Sequence, residues 1–210
     1  MRAGFAVYLF DVDGTLVDSA ADIAAAVVAA LAEAGHGSPD PADLKKYIGV
    51  PLIGIFRDLL PEATQEEHDR LIAAYRRIYP ARRHCLTRVY PGVREALAAL
   101  GGRKATASTK NTAMTRSVLE HFGLIGFFDH VQGTDGFPYK PAPDVIRASL
   151  EVFGARPEDC LLVGDAPTDM EAGRRAGVAI CAVRYGYGDP SELARWEPDY
   201  WVDDLRELAE

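Results

Sequence analysis

Apolar residues occupy the run Phe5-Ala6-Val7-Tyr8-Leu9-Phe10 without interruption, and the run stops at Asp11-Val12-Asp13-Gly14-Thr15. So short a run, ended by a turn signal, predicts a buried strand. Helical spacing follows. Ser19 with Asp22 forms a potential capping box ahead of the alanine-rich stretch Ile23 to Ala34, and Gly35 suits the left-handed conformation that closes a helix. Pro41 to Tyr47 and Leu52 to Leu60 show short helical periodicity on either side of Gly49-Val50-Pro51. Thr64 with Glu67 caps a further helix that carries Leu71, Ile72, Tyr75 and Ile78 on one face. Residues 16–84 therefore read as helical throughout.

Beyond Pro91-Gly92 the pattern becomes an alternation. Helices are predicted from Val93, Thr112, Asp144 and Asp169, and short apolar strands at Lys104 to Ser108, His130 to Gly133, Leu161 to Gly164 and Val178 to Val183. Gly123, Gly154 and Gly177 stand where three of these helices should end. Such alternation predicts an α/β fold, a parallel sheet covered on both faces by helices. Ligands of such sheets bind beyond the carboxyl ends of the strands, near the reversal of strand order. Asp11, Ser108 and Asp165 all stand at predicted strand ends, so they should converge in space.

Composition narrows the partners. A formal charge of −8 argues against nucleic acid or an anionic membrane as partner, since neither would meet a broad basic surface. No apolar run approaches the roughly 20 residues of a membrane-spanning helix, and the first residues lack a leader pattern, so the expectation is a cytoplasmic protein. Cys85, Cys160 and Cys181 are odd in number and widely spaced, which fits a reducing compartment. The histidines show no zinc-binding spacing.

Asp11 and Asp13 are the chemical feature of the chain. Residues i and i+2 of an extended segment point the same way, so two carboxylates should crowd at the mouth of a buried strand. Alone, the pair is also compatible with a solvated turn or a fragment of a calcium loop. A hard divalent cation such as Mg²⁺ would relieve the repulsion, because it accepts one or two carboxylates and fills its other positions with water and phosphate oxygens.

Four segments in order carry a resemblance. Asp11 to Ser19 resembles the first motif of the haloacid dehalogenase superfamily, in its phosphoglycolate phosphatase-like branch. Ala107-Ser108-Thr109-Lys110 resembles the second, Lys140-Pro141 the third, and Gly164-Asp165-Ala166-Pro167-Thr168-Asp169 the fourth. The resemblance implies a Rossmann-like core, residues 1–15 and 85–210, with a helical cap inserted over residues 16–84.

It also implies roles. Asp11 would be the nucleophile that forms an aspartyl-phosphate, and Asp13 the acid and base. Asp11, the backbone carbonyl of Asp13 and Asp165 would hold Mg²⁺, while Asp169 would hold a metal-bound water or orient Lys140. Lys140 would pin nucleophile and phosphate together, and Ser108 and Thr109 would bind phosphate oxygens. Relatives often carry Thr-Asn where this chain has Ser108-Thr109, so the hydroxyl survives and the Asn side chain does not. Lys110 reads equally as a substrate contact or a solvated lysine, and Arg57 in the cap is a candidate for a second anionic group of the substrate. The expected activity is hydrolysis of a small phosphorylated metabolite, phosphoglycolate first. A phosphomutase of the β-phosphoglucomutase kind and a noncatalytic phosphoacceptor module are the alternatives, and oligomeric state stays open.

Overall fold

Residues 4–209 are described by a computed structural model, in which the apolar run becomes strand β1, Val7–Phe10, buried along its whole length. In chain order there follow β2 (Val17–Asp18), α1 (Ala20–Glu33), α2 (Leu52–Leu59), α3 (Gln65–Ala81), β3 (Arg88–Val89), α4 (Val93–Ala99) and β4 (Arg103–Thr106). Then come α5 (Thr112–His121), α6 (Asp144–Phe153), β5 (Cys160–Gly164), α7 (Pro167–Ala176), β6 (Ala179–Val183), α8 (Pro190–Ala194) and β7 (Tyr200–Val202). Two compact units result, one running through Asp18 and resuming at Val89, the other spanning Ser19–Arg88.

The first unit is built on a five-stranded sheet of order β4-β1-β5-β6-β7, with every neighbouring pair parallel. Leu9 lies opposite Ala105 on one side and Leu162 on the other. The two-residue period of a strand sends alternate side chains into separate cores. Tyr8, Phe10, Leu161, Val163 and Cys181 join Leu97, Val118 and Leu119 on one face, while Val7, Leu9, Leu162 and Ile180 join Val145, Ile146 and Met170 on the other. Each such side chain removed from water contributes about 1.5–3 kcal/mol, which is why uninterrupted apolar runs belong in the middle of the sheet. The chain leaves β1 for β4 on one side and later returns to β5 on the other, so the order reverses at β1. The α/β expectation with a parallel, two-faced sheet is confirmed.

The predicted strand His130 to Gly133 is not a ladder strand. It makes only single bridges, Ala105 to His130 and Ser108 to Gly133. The Thr106 hydroxyl takes the Gln132 N–H at 2.8 Å, which a ladder would give to a backbone carbonyl, and shares the Gln132 carbonyl at 2.9 Å with the Ser108 N–H at 3.3 Å. Strand β7, unforeseen in the pattern, pairs instead at the far edge of the sheet.

In the helical unit, α1 and α3 pack closely, and small residues such as Ala26 and Ala30 on α1 favour that approach. Of the predicted face of α3, Leu71 and Tyr75 are buried and Ile72 and Ile78 half-buried, with Tyr79 buried in addition, and Thr64 accepts the Glu67 N–H at 3.2 Å. Two details differ. Pro41–Tyr47 forms a 3₁₀ helix rather than an α-helix, with Pro41 at its start. The Ser19 side chain makes no capping bond, and Asp22, fully buried, is a hub instead of a cap partner. Its carboxylate accepts from Arg82 Nε at 3.0 Å, Leu86 N–H at 2.8 Å and the Thr87 hydroxyl at 2.7 Å. Among the described residues no helix is long and apolar enough to cross a membrane.

Candidate active site

Asp11 stands one residue past β1, its N–H still bonded to the Val163 carbonyl at 2.9 Å. The Val12 carbonyl accepts from Leu16 and Val17, and Gly14, at φ +94°, turns the backbone where a side chain would strain it. Ser108 lies two residues past the neighbouring β4, and Asp165 follows β5 on the other side. Asp11, Asp13, Ser108, Lys140, Asp165 and Asp169 are all buried. Reversal of strand order at β1 thus gathers groups that are far apart in the sequence.

The contacts order them. Lys140 Nζ lies 2.8 Å from Asp11 Oδ1 and also bonds Asp169 Oδ1. The other oxygen of Asp169 accepts the Ala166 N–H at 3.0 Å, so one carboxylate both closes the first turn of α7 and holds the lysine. The helix-start and lysine-orienting readings of Asp169 are therefore not alternatives. Lys110 Nζ is 2.9 Å from Asp13 Oδ2, which removes it from the solvated surface. Ser108 Oγ accepts the Lys110 N–H at 3.2 Å, and the Thr109 hydroxyl oxygen is buried with no partner among the described residues. Arg57 belongs to the helical unit, exposed on α2, where it donates to Gln65 Oε1 at 2.8 Å.

Two contributors escaped the sequence reading. The Thr15 hydroxyl donates to Asp165 Oδ1 at 3.1 Å, and the Tyr187 N–H donates to Asp165 Oδ2 at 2.8 Å. Thr15 stood inside the first motif and could have been noticed. Tyr187 contributes a backbone group, for which side-chain chemistry offers no signal beyond its position just past a strand end.

Electrostatics define what the site requires. Burial pushes the Asp11 carboxyl up to about 7, against the pull of Lys140 and with help from Asp169 and Asp13. Burial also holds Asp165 well above the carboxylate range, reinforced by Asp11 and Asp169 and only partly offset by Tyr187 and Thr15. Lys140 moves the other way: burial disfavours its charge, but the Asp11 and Asp169 carboxylates outweigh burial and keep it protonated. With Asp11, Asp13, Asp165 and Asp169 ionised, four carboxylates face the two ammonium groups of Lys110 and Lys140, leaving two negative charges uncompensated in a buried cleft. A bound divalent cation would supply the missing charge. Asp11, Asp165 and Asp169 each offer an oxygen within 4.8 Å of the other two, an all-oxygen donor set of the kind Mg²⁺ accepts. Asp169 is already engaged by Lys140 and Ala166, which leaves Asp11 and Asp165 as the carboxylates best disposed to bind it.

A parallel α/β sheet carrying buried carboxylates and lysines at the end of β1 defines a class, Rossmann-like enzymes that handle anionic substrates at a switch point in strand order. Residues 8–183 match the haloacid dehalogenase-like hydrolase family, and the chain belongs to that family. It is 36% identical over 185 residues to the phosphoglycolate phosphatase of Aquifex aeolicus, covering 86% of this chain and 85% of that protein. The phosphoglycolate phosphatase of Nitrosospira multiformis is 35% identical over 96% of this chain and 92% of its own length. Among solved structures, a haloacid dehalogenase-like hydrolase from Bacteroides fragilis superposes with a TM-score of 0.90 at 26% identity, covering 97% of this chain and 99% of that one. The family resemblance read from the four motifs is confirmed.

Proposed function

We propose that this haloacid dehalogenase-like phosphatase is a Mg²⁺-dependent enzyme of the cytoplasm that hydrolyses phosphoglycolate through an aspartyl-phosphate on Asp11. The observation that carries the reading is the Asp11–Lys140 contact, a nucleophilic carboxylate buried beside a fixed cation at a strand end. The two similar phosphoglycolate phosphatases, each matched over most of its length, support the substrate. The three free cysteines fit a reducing compartment, and the charge of −8 fits a small metabolite better than a nucleic acid.

Phosphate monoesters resist attack because their oxygens are anionic, so catalysis is chiefly positioning and charge stabilisation. Bound Mg²⁺, held by Asp11, Asp165 and the Asp13 carbonyl, would neutralise phosphoryl charge and keep Asp11 ionised. Lys140 occupies Asp11 Oδ1, leaving Oδ2 to form the bond to phosphorus as the ester P–O bond breaks. Asp13 gives its proton to the departing oxygen, then takes one from the water that hydrolyses the aspartyl-phosphate. Lys110 faces the same carboxylate and stabilises it whenever it is ionised. The Ser108 hydroxyl and the Thr109 backbone N–H donate to phosphoryl oxygens. Arg57 is the candidate for binding the carboxylate of phosphoglycolate.

A panel of phosphorylated metabolites is expected to show fastest Mg²⁺-dependent phosphate release from phosphoglycolate. Interconversion of hexose phosphates outpacing phosphate release would assign a mutase instead. In the same assay Arg57→Ala should raise KM for phosphoglycolate about 10- to 100-fold with little change in kcat, the worth of one charged hydrogen bond. An unchanged KM for every anionic substrate removes Arg57 from the site.

Metal binding should also release protons. The folded chain holds a proton on Asp11 up to about pH 7, far above the ordinary value of 3.8. Folded protein therefore binds more protons than unfolded across that window, and the stability of the metal-free protein falls as pH rises through it. Mg²⁺ added at pH 6.5 must displace the proton. Calorimetry in buffers of different ionisation enthalpy should record proton release, and buffer-independent heats would contradict the assignment.

A further inference from the structure

The segment after β6, Arg184-Tyr185-Gly186-Tyr187-Gly188, is folded tightly against Asp165. A Cβ on Gly186 would lie 2.2 Å from Asp165 Cβ, and one on Gly188 would lie 2.0 Å from the Asp165 carbonyl oxygen. From the opposite side, a Cβ on Gly14 would lie 2.2 Å from Asp165 Oδ2. Three glycines thus let two backbones close on one residue, Asp165, and that approach brings the Tyr187 N–H and the Thr15 hydroxyl to its two carboxylate oxygens.

The tyrosines set between the glycines tie the two loops together. Tyr185 donates its hydroxyl to the Thr15 carbonyl at 2.8 Å, and its ring centroid lies 4.7 Å from that of Tyr90. Tyr187 donates its hydroxyl to Asp18 Oδ1 at 2.7 Å. Both bonds reach the segment that begins with Asp11, so the loop holding Asp165 is fastened to the loop holding the nucleophile. A hydroxyl that only decorated a surface would not need this pairing at both positions.

We propose that Tyr185 and Tyr187 are positioning residues of the metal site, locking the loop so that Asp165 presents its carboxylate toward the same point as Asp11. The inference rests on the Mg²⁺ reading above. Hydrogen-bonded partners that orient a metal ligand typically govern about tenfold or more in metal affinity. The test is Mg²⁺ titration by calorimetry on metal-free wild type, Tyr185→Phe and Tyr187→Phe, with melting of each metal-free protein recorded alongside. Each Phe keeps the ring and the backbone N–H and removes only the hydroxyl. The expected result is Mg²⁺ affinity about tenfold weaker in each variant, with turnover restored at high Mg²⁺. Wild-type binding with unchanged affinity in both variants overturns the proposal, and so does a lower melting temperature without a change in affinity, the mark of a merely structural role. Absence of Mg²⁺ binding by the wild type overturns the metal reading itself, and the positioning role with it.

Discussion

Asp11→Asn is expected to abolish phosphate release, lowering kcat by on the order of 10⁴-fold or more, while leaving the far-ultraviolet circular dichroism unchanged. The amide keeps the shape of the carboxylate but is a poor nucleophile at phosphorus. Lys140 would remain paired with Asp169, so the variant should fold. The measurement is single-turnover release from phosphoglycolate at saturating Mg²⁺. Turnover within tenfold of wild type would mean that another group attacks phosphorus.

The largest effect on stability is expected at Asp22, away from the chemistry. Asp22→Ala should destabilise the protein by about 3–5 kcal/mol, the range for removing one partner of a buried charged network. Its side chain is wholly inaccessible, whereas Arg82 retains 24% exposure and can recover some hydration, which favours the lower end of the range. Burial alone would raise the Asp22 carboxyl, but the bonds from Thr87, Leu86 and Arg82 hold it below its ordinary value of 3.8. The stabilisation is therefore present above that value and is lost as pH falls through the lower folded one. These bonds join the start of α1 to residues 60 to 65 positions later, closing the helical unit on itself. Urea unfolding at pH 7 and pH 3 measures the effect. A loss under 1 kcal/mol at pH 7, or equal losses at both pH values, would contradict it.

Asp22 also shows where sequence reading reaches its limit. Ser19 and Asp22 have the spacing of a local cap, and nothing nearby announces Arg82, Leu86 and Thr87 as the partners that prevail. Strand β1 was legible because an uninterrupted apolar run ended by a turn has few other uses. The segment 130–133 looked like its equal, but the Thr106 hydroxyl intercepts its Gln132 N–H and the pairing is left as single bridges. Strand β7 lies between Pro198-Asp199 and Asp203-Asp204, too short to establish a period of its own.

Within the site, Asp11, Asp13, Asp165 and Lys140 could be read because each carries its chemistry in a side chain at a strand end or in a stiff loop. Lys110 stayed ambiguous because its partner, Asp13, lies 97 residues away. Tyr187 stayed hidden because its contribution to Asp165 is a main-chain N–H. Charge that must be compensated can be anticipated from spacing, whereas the donors that orient it depend on the finished fold.

In the proposed mechanism Asp11 receives the phosphoryl group while sharing a cation with Asp165. A crystal structure with Mg²⁺ and beryllium fluoride, a phosphoryl mimic, tests it most directly. The expected result is beryllium bonded to an Asp11 carboxylate oxygen and Mg²⁺ about 2.1 Å from oxygens of both Asp11 and Asp165. Beryllium fluoride bound to any other residue, or a cation that Asp165 does not ligate, would contradict it.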